Sequence, residues 1–371
     1  MSGDGLDGSG RIPLVLPRAP SSGEWSALVE GIWASGRLTN DGPVLRRFEA
    51  ALHKDLGWDN VAATSSGTMA LQLACRALQL DGEVITSAFT FPATLQALRW
   101  NGLVPVLADV EPRWLTLDPA SAAALVTPRT CAIVAVHTFG HPADVAALQS
   151  VASRYGLALV YDAAPAVGVR VDGVPVTAFG DASAVSFHAT KVMHTVEGGA
   201  VCTPHDDAAE AVRRLRNFGL GESGGAEEYG TNAKMNELQA AVGLSLLRTL
   251  DAEVAGRAQA AAVYRELLKD MSSVRLLWPA DTVSGNHAYA VARLRAGTTA
   301  LADKVSVFLD HHGVDSRRYF SHRYRSQGAI CPNPTPVADA AAEDVLCLPL
   351  WGDIPLATVE RVGGLVAEAA A

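Results

Sequence analysis

No stretch of the chain reaches the roughly eighteen consecutive apolar residues that span a bilayer, which argues against a helical membrane protein. Like charges form no block, and the formal net charge is −9. A nucleic-acid surface, which needs a basic stripe, is therefore not expected. An anionic small substrate remains open, because local arginines can hold one against a negative total. The cysteines Cys75, Cys131, Cys202, Cys331 and Cys347 contain no C-x-x-C pair. Their scatter among small and apolar neighbours suggests buried free thiols in a reducing compartment, with no zinc site. The opening segment MSGDGLDGSG has neither a basic n-region nor an apolar h-region. It reads as the start of a loose tail rather than a signal peptide, and the expected location is cytoplasmic.

What is present is ample apolar material. The chain has 371 residues, 49% hydrophobic and 19% charged, enough to bury the cores of two domains. Short apolar runs alternate with helical patterns over the first two thirds. The strand candidates are 84–86, 104–109, 131–136, 157–162, 183–187 and 200–203; the helix candidates are 68–80, 92–101, 143–155 and 206–217. This rhythm predicts an α/β fold with a mainly parallel sheet covered by helices on both faces. Residues 235–268 read as one long helix bridging to a smaller α+β unit, with a strand at 287–294 and helices at 301–312 and 359–370. The expected division is a tail over 1–20, a large α/β domain over 21–250 and a small C-terminal domain over 251–371.

Ligands collect at the carboxyl ends of strands in such a sheet. Two residues with chemistry fall there. Asp162 closes the run Leu157-Ala158-Leu159-Val160-Tyr161, and Lys191 follows Ser186-Phe187-His188-Ala189-Thr190 just ahead of Glu197-Gly198-Gly199. A lysine and a carboxylate on neighbouring strand ends are what pyridoxal phosphate needs, an amine for a Schiff base and an acid for its ring nitrogen. A turn aspartate and a solvated lysine would account for the same letters. Ser65-Ser66-Gly67-Thr68 introduces an apolar helical run, so its free amides and the helix dipole form a natural phosphate seat. An ordinary N-cap would look the same. Phe89 suits core packing, whereas Phe91, next to Pro92, suits stacking on a planar ring. His137 and His141 are separated by helix-breaking Gly140, so a metal pair is not expected. His188 lacks a carboxylate or cysteine at catalytic spacing and reads as structural or cofactor-adjacent.

Taken in order, these motifs resemble the DegT/DnrJ/EryC1/StrS family of sugar aminotransferases, fold-type-I pyridoxal phosphate enzymes. The series runs through Ser35-Gly36-Arg37-Leu38-Thr39-Asn40-Asp41-Gly42-Pro43, Ser66-Gly67-Thr68, Ser87-Ala88-Phe89-Thr90-Phe91 and His137-Thr138-Phe139-Gly140. It continues with Asp162-Ala163-Ala164, Ser186 to Lys191, Glu197-Gly198-Gly199, Asn232-Ala233-Lys234-Met235-Asn236-Glu237 and Cys347-Leu348-Pro349-Leu350. The resemblance implies that Lys191 carries the cofactor and Asp162 pairs with its ring nitrogen. Gly67, Thr68 and Ser186, with Ser66 beside them, would hold the phosphate, and Phe91 would take the stacking position. It also implies a homodimer with the site at the interface, where Asn232 or Lys234 reaches the partner's phosphate or substrate. Pro165 departs from the pattern: relatives carry His or Gln there, near the cofactor's phenolic oxygen, and proline has no donor to offer.

The implied reaction is a ping-pong transamination. Glutamate donates the amine, and the acceptor is a dTDP-linked 4-keto-6-deoxyhexose, aminated at carbon 4. Amination at carbon 3 of a 3-keto nucleotide sugar uses nearly the same residues and stays open. Sugar contacts are sought in Arg37, Thr39, His188, Tyr319, His322 and Arg323, although a loop rich in Arg and His can be merely solvated. A dehydratase of the same family would carry histidine in place of Lys191. A non-catalytic cofactor-binding regulator is the remaining alternative. A nicotinamide oxidoreductase is not expected, because no G-x-G-x-x-G turn follows the first strand.

Overall fold

The computed structural model describes residues 10–221, 224–294, 299–320 and 328–371. The chain begins with α1 (Ser22–Ser35) and α2 (Pro43–Leu56), then β1 (Ala62–Thr64), α3 (Gly67–Ala77), β2 (Glu83–Ser87), α4 (Pro92–Trp100) and β3 (Val104–Ala108). Next come α5 (Pro119–Ala124), β4 (Thr130–Val136), α6 (Val145–Tyr155), β5 (Ala158–Asp162), β6 (Arg170–Val171), β7 (Val174–Pro175), β8 (Ala182–Ser186), β9 (Gly199–Cys202) and α7 (Asp206–Leu215). The remainder holds α8 (Glu237–Leu247), α9 (Leu250–Leu268), β10 (Val274–Leu276), β11 (Val283–Ser284), β12 (Ala290–Leu294), α10 (Thr299–His311), α11 (Pro336–Asp344), β13 (Val345–Leu348) and α12 (Leu356–Ala370).

The main sheet has the order β1-β9-β8-β5-β4-β2-β3. Its pairings are parallel from β8 through to β3, and β9 runs antiparallel to both β8 and β1. Alternation along each strand feeds two cores, because successive side chains point to opposite faces. Val84, Ala132, Val134 and Val160 pack under α3, α4 and α7. Ile85, Ile133, Ala135, Leu159 and Tyr161 pack against α5 and α6 on the other side. Both faces are covered, which is why these strands read as continuous apolar runs. The expected α/β architecture with a mainly parallel sheet is present.

A second, antiparallel sheet of order β10-β12-β13 has its own core against α9, α10 and α12, centred on Tyr264, Leu309, Leu346, Trp351 and Val362. No described helix is long and apolar enough to cross a membrane.

Two expectations need correction. The stretch 235–268 is two helices, not one. Arg248 and Thr249 break it, and the Thr249 hydroxyl donates to the Leu246 carbonyl at 3.1 Å, competing with helix propagation. The expected loose tail over 1–20 is not one across 10–20. Ile12, 1% exposed, bridges to Val314, with its amide on Gly313 O and its carbonyl on the Asp315 amide, both at 2.9 Å. Arg11 pairs with Asp310 and Asp315. The apolar Ile12 side chain fills the core of the second sheet and draws the segment down.

Helix α8 is buried almost all round and fixes α2. The carboxylate of buried Glu237 accepts from the amides of Val44 (2.8 Å) and Leu45 (2.9 Å), capping a helix whose own N-cap residue, Gly42, has no side chain. A Cβ at Gly42 would fall 2.4 Å from the Glu237 carboxyl carbon, so the cap requires glycine there.

Candidate active site

Three parallel strands, β4, β5 and β8, end side by side, and the chemistry sits on their ends. Asp162 closes β5 and is 8% exposed. Its Oδ2 accepts from the Thr94 hydroxyl (2.8 Å) and its Oδ1 from the Ala164 amide (3.1 Å). Among the described residues no cation forms an ion pair with it. Burial pushes its carboxyl above the usual range; the bonds from Thr94 and Ala164 and the charge of Lys191 pull it back only in part.

Lys191 lies one turn beyond β8, and that turn is built locally. Ser186 Oγ accepts the His188 amide (3.3 Å), and His188 O accepts the Lys191 amide (2.9 Å). Phe187 anchors the turn from below, stacked on Trp58 at 6.3 Å and edge-on to Phe48 at 5.6 Å. The Lys191 Nζ donates to the hydroxyl of Tyr289 at 3.2 Å.

Helix α3 points its N-terminus at the same strand ends. Ser66 is its N-cap, the side chain accepting from the Met69 amide at 3.2 Å. Gly67 and Thr68 come first in the helix, where no preceding turn supplies an acceptor for their amides. Two glycines let the parts meet. A Cβ on Gly67 would lie 2.6 Å from Ser186 Cβ, and one on Gly199 would lie 2.5 Å from Ser66 O.

The site thus has a buried carboxylate lacking a counter-ion, a primary amine and a helix N-terminus pressed against a serine. A cofactor with a protonatable ring nitrogen, an aldehyde and a phosphate meets all three demands, and the residues present fit pyridoxal phosphate.

The other candidates fall out as follows. Phe91 is the half-exposed residue preceding α4, edge-on to Phe320 at 6.3 Å, whereas Phe89 is buried against Phe139 and Phe320. His188 is exposed, its Nδ1 2.8 Å from the Thr190 hydroxyl and its Nε2 3.6 Å from Glu197. The 232–234 segment lies beside α3, with Ala233 O accepting from the Ser65 amide at 2.8 Å. There Asn232 is exposed, and Lys234 Nζ sits 4.5 Å over the Phe218 ring. Arg37 and Thr39 are exposed beyond α1, and among the described residues no hydrogen bond or ion pair joins them to Lys191 or Asp162. Tyr319 packs on Tyr289 at 5.9 Å. His322 and Arg323 lie outside the described residues.

Sequence reasoning missed Thr94 and Tyr289. Each is distant along the chain from the group it touches, and nothing in its neighbours signals the contact.

A mainly parallel sheet with an acid and a lysine at its carboxyl edge, and a helix N-terminus beside them, defines a fold-type-I transferase. The chain belongs to the DegT/DnrJ/EryC1/StrS aminotransferase family, whose model matches residues 22–367. It is 35% identical over 363 residues to the dTDP-4-amino-4,6-dideoxy-D-glucose transaminase of Shigella dysenteriae, covering 96% of this chain and 98% of that one. It is 34% identical over 354 residues to the dTDP-3-amino-3,4,6-trideoxy-alpha-D-glucose transaminase of Streptomyces venezuelae, covering 93% and 92%. The crystal structure of DesI in the presence of its TDP-sugar product matches with a TM-score of 0.89 and 39% identity, over 96% of this chain and 93% of that one. The protein is a nucleotide-sugar aminotransferase of this family.

Proposed function

We propose that the chain uses pyridoxal phosphate to move an amino group from glutamate to carbon 4 of a dTDP-linked 4-keto-6-deoxyhexose. One observation carries the reading: the buried Asp162 carboxylate, without an ion pair among the described residues, on the strand adjacent to the one leading into Lys191. Lys191 is the amine that bears the cofactor. Asp162 would pair with the ring nitrogen and keep it protonated. Gly67, Thr68 and Ser186 would hold the phosphate, with Ser66 fixing the helix start, and Phe91 would take the stacking position.

When bound, pyridoxal phosphate supplies the electron sink that lets the donor's Cα–H bond break. Lys191 would hold the cofactor and, once its amine is free, would take the proton from the donor's Cα. Glutamate would lose its amino group to become 2-oxoglutarate, its new carbonyl oxygen coming from one water. The same lysine moves the proton in the reverse sense when the keto sugar takes the nitrogen, and one water is lost there. The protein's share is orientation and proton placement.

A homodimer with the site at its interface belongs to this reading. Exposed Trp33, Leu38, Val196 and Phe218 support it, since large apolar residues in solvent call for cover, and Phe218 lies against Lys234. Across that interface Asn232 or Lys234 would reach the partner's phosphate or substrate, and Arg37 and Thr39 the sugar. The Shigella relative supports carbon 4; the Streptomyces relative keeps carbon 3 as a second reading.

The purified protein with pyridoxal phosphate should absorb at the violet edge of the visible range, and glutamate should bleach that band. A spectrum indifferent to every amino acid tried would defeat the reading. NMR of the products from separately supplied 3-keto and 4-keto nucleotide sugars decides between the two carbons.

A further inference from the structure

The second sheet reaches the Lys191 amine through one residue. Tyr289 immediately precedes β12, and its hydroxyl accepts from Lys191 Nζ at 3.2 Å. The ring is held between aromatic neighbours. Phe139 meets it at 5.5 Å and Tyr319 at 5.9 Å, with interplanar angles of 69° and 84°. The backbone behind it is clamped as firmly. Asn286, 2% exposed, donates from Nδ2 to the carbonyls of Pro165 and Val167, both at 2.9 Å. Its Oδ1 accepts the Ala288 amide at 3.0 Å, and Arg257 donates to Ala288 O at 3.2 Å. Gly140, at φ +87°, closes the third side: a Cβ there would lie 2.8 Å from Asn286 Oδ1 and 3.1 Å from Pro165 O. Three turns, at 138–140, 165–167 and 286–289, therefore interlock. The turn that leaves Asp162 is tied directly to the segment that carries Tyr289.

We infer that Tyr289 is a positioning residue for Lys191. Its hydroxyl holds the amine in the orientation from which it reaches the cofactor and later moves the Cα proton, and the Asn286 clamp sets where that hydroxyl lies. The inference rests on the reading of Lys191 as the cofactor-bearing amine. Pro165 enters it through its carbonyl, which the clamp uses as an acceptor; a side-chain donor at that position is not part of the arrangement.

Tyr289→Phe keeps the ring and its aromatic neighbours and removes only the hydroxyl. Two rates are read by stopped-flow absorbance: regain of the visible band when apoprotein meets pyridoxal phosphate, and its bleaching by glutamate. Both should fall about ten- to a hundredfold, the cost of a misplaced reacting group. The KM for glutamate should be unchanged while kcat falls, a split that a general loss of structure does not produce. Asn286→Ala, if it folds, should slow both rates in the same direction. Wild-type rates in Tyr289→Phe overturn the inference alone. Absence of any visible band in the wild-type protein overturns the Lys191 reading, and the inference with it.

Discussion

The two halves of the site are built differently. At the edge of the main sheet, Asp162, Ser186 and Lys191 stand on or just past strand ends, and Ser66–Thr68 open a helix; their backbone is held by bonds within a few residues, and the long reaches are Thr94 on Asp162 and Tyr289 on Lys191. Tyr289 and Tyr319 come from the segment entering the second sheet and the loop after α10, and are held by contacts spanning a hundred residues or more, such as Phe139 on both rings and Asn286 on Pro165. The reacting groups ride on rigid local structure, while their orientation is imposed from far along the chain. Single changes should separate these contributions.

The largest effect is expected at the reacting group itself. Lys191→Ala should abolish the visible band and lower turnover by about 10²- to 10⁴-fold from proton transfer alone; absorbance and single-turnover rates check it. Wild-type-like bleaching in that variant would place the chemistry elsewhere.

Asp162→Asn keeps the volume and removes the charge. Loss of the opposite charge should lower the bound ring nitrogen's pKa by about 1–3 units, and the rate by a comparable number of powers of ten. The same variant tests burial. The unfolded aspartate ionises near its ordinary pKa of about 3.9, whereas the native one ionises higher. Across that window the native state binds more protons, so the stability of the cofactor-free protein falls as pH rises from the lower value through the upper. Below the window this disadvantage is absent. The stability gap favouring Asp162→Asn should therefore widen with rising pH in apoprotein, and should shrink once pyridoxal phosphate pairs with the carboxylate. Urea midpoints measured with and without cofactor test both signs.

Away from the site, Glu237→Ala should cost about 2–3 kcal/mol of stability, since two buried amides lose a charged acceptor. The urea midpoint should drop while the spectrum of the folded, loaded protein stays as in the wild type. The smallest effect is expected from Gly67→Ala. Its methyl would press on Ser186 at 2.6 Å, costing about 1–2 kcal/mol of stability by overpacking, read as a lower urea midpoint of apoprotein, with a weaker cofactor Kd as the helix start shifts away from Ser186.

Six of the seven strands of the main sheet were legible because each is buried on both faces and bounded by turn residues; β1, three residues long, is too short to show a pattern. Helices α1 and α2 were not. The first has little amphipathic contrast, and the second begins at Gly42-Pro43, where the capping carboxylate comes from Glu237 on another helix. The break at Thr249 was hidden because α8 is apolar nearly all round, so its pattern merges with that of α9. His137 shows the same limit. Its ring lies stacked on Tyr161 at 4.7 Å, and burial pushes its pKa down to about 3, an environment its neighbours Val136 and Thr138 do not announce.

From its letters alone the chain determined a parallel α/β sheet, and it put an acid, a lysine and a glycine-started helix at that sheet's carboxyl edge. Strand burial, alternation and helix capping are local consequences of side-chain chemistry, so they can be read residue by residue. Only the tertiary structure decided that Thr94 bonds Asp162, that Tyr289 touches Lys191 and that Ile12 belongs to the second core. Those are encounters between segments whose separation in sequence carries no record of their distance in space.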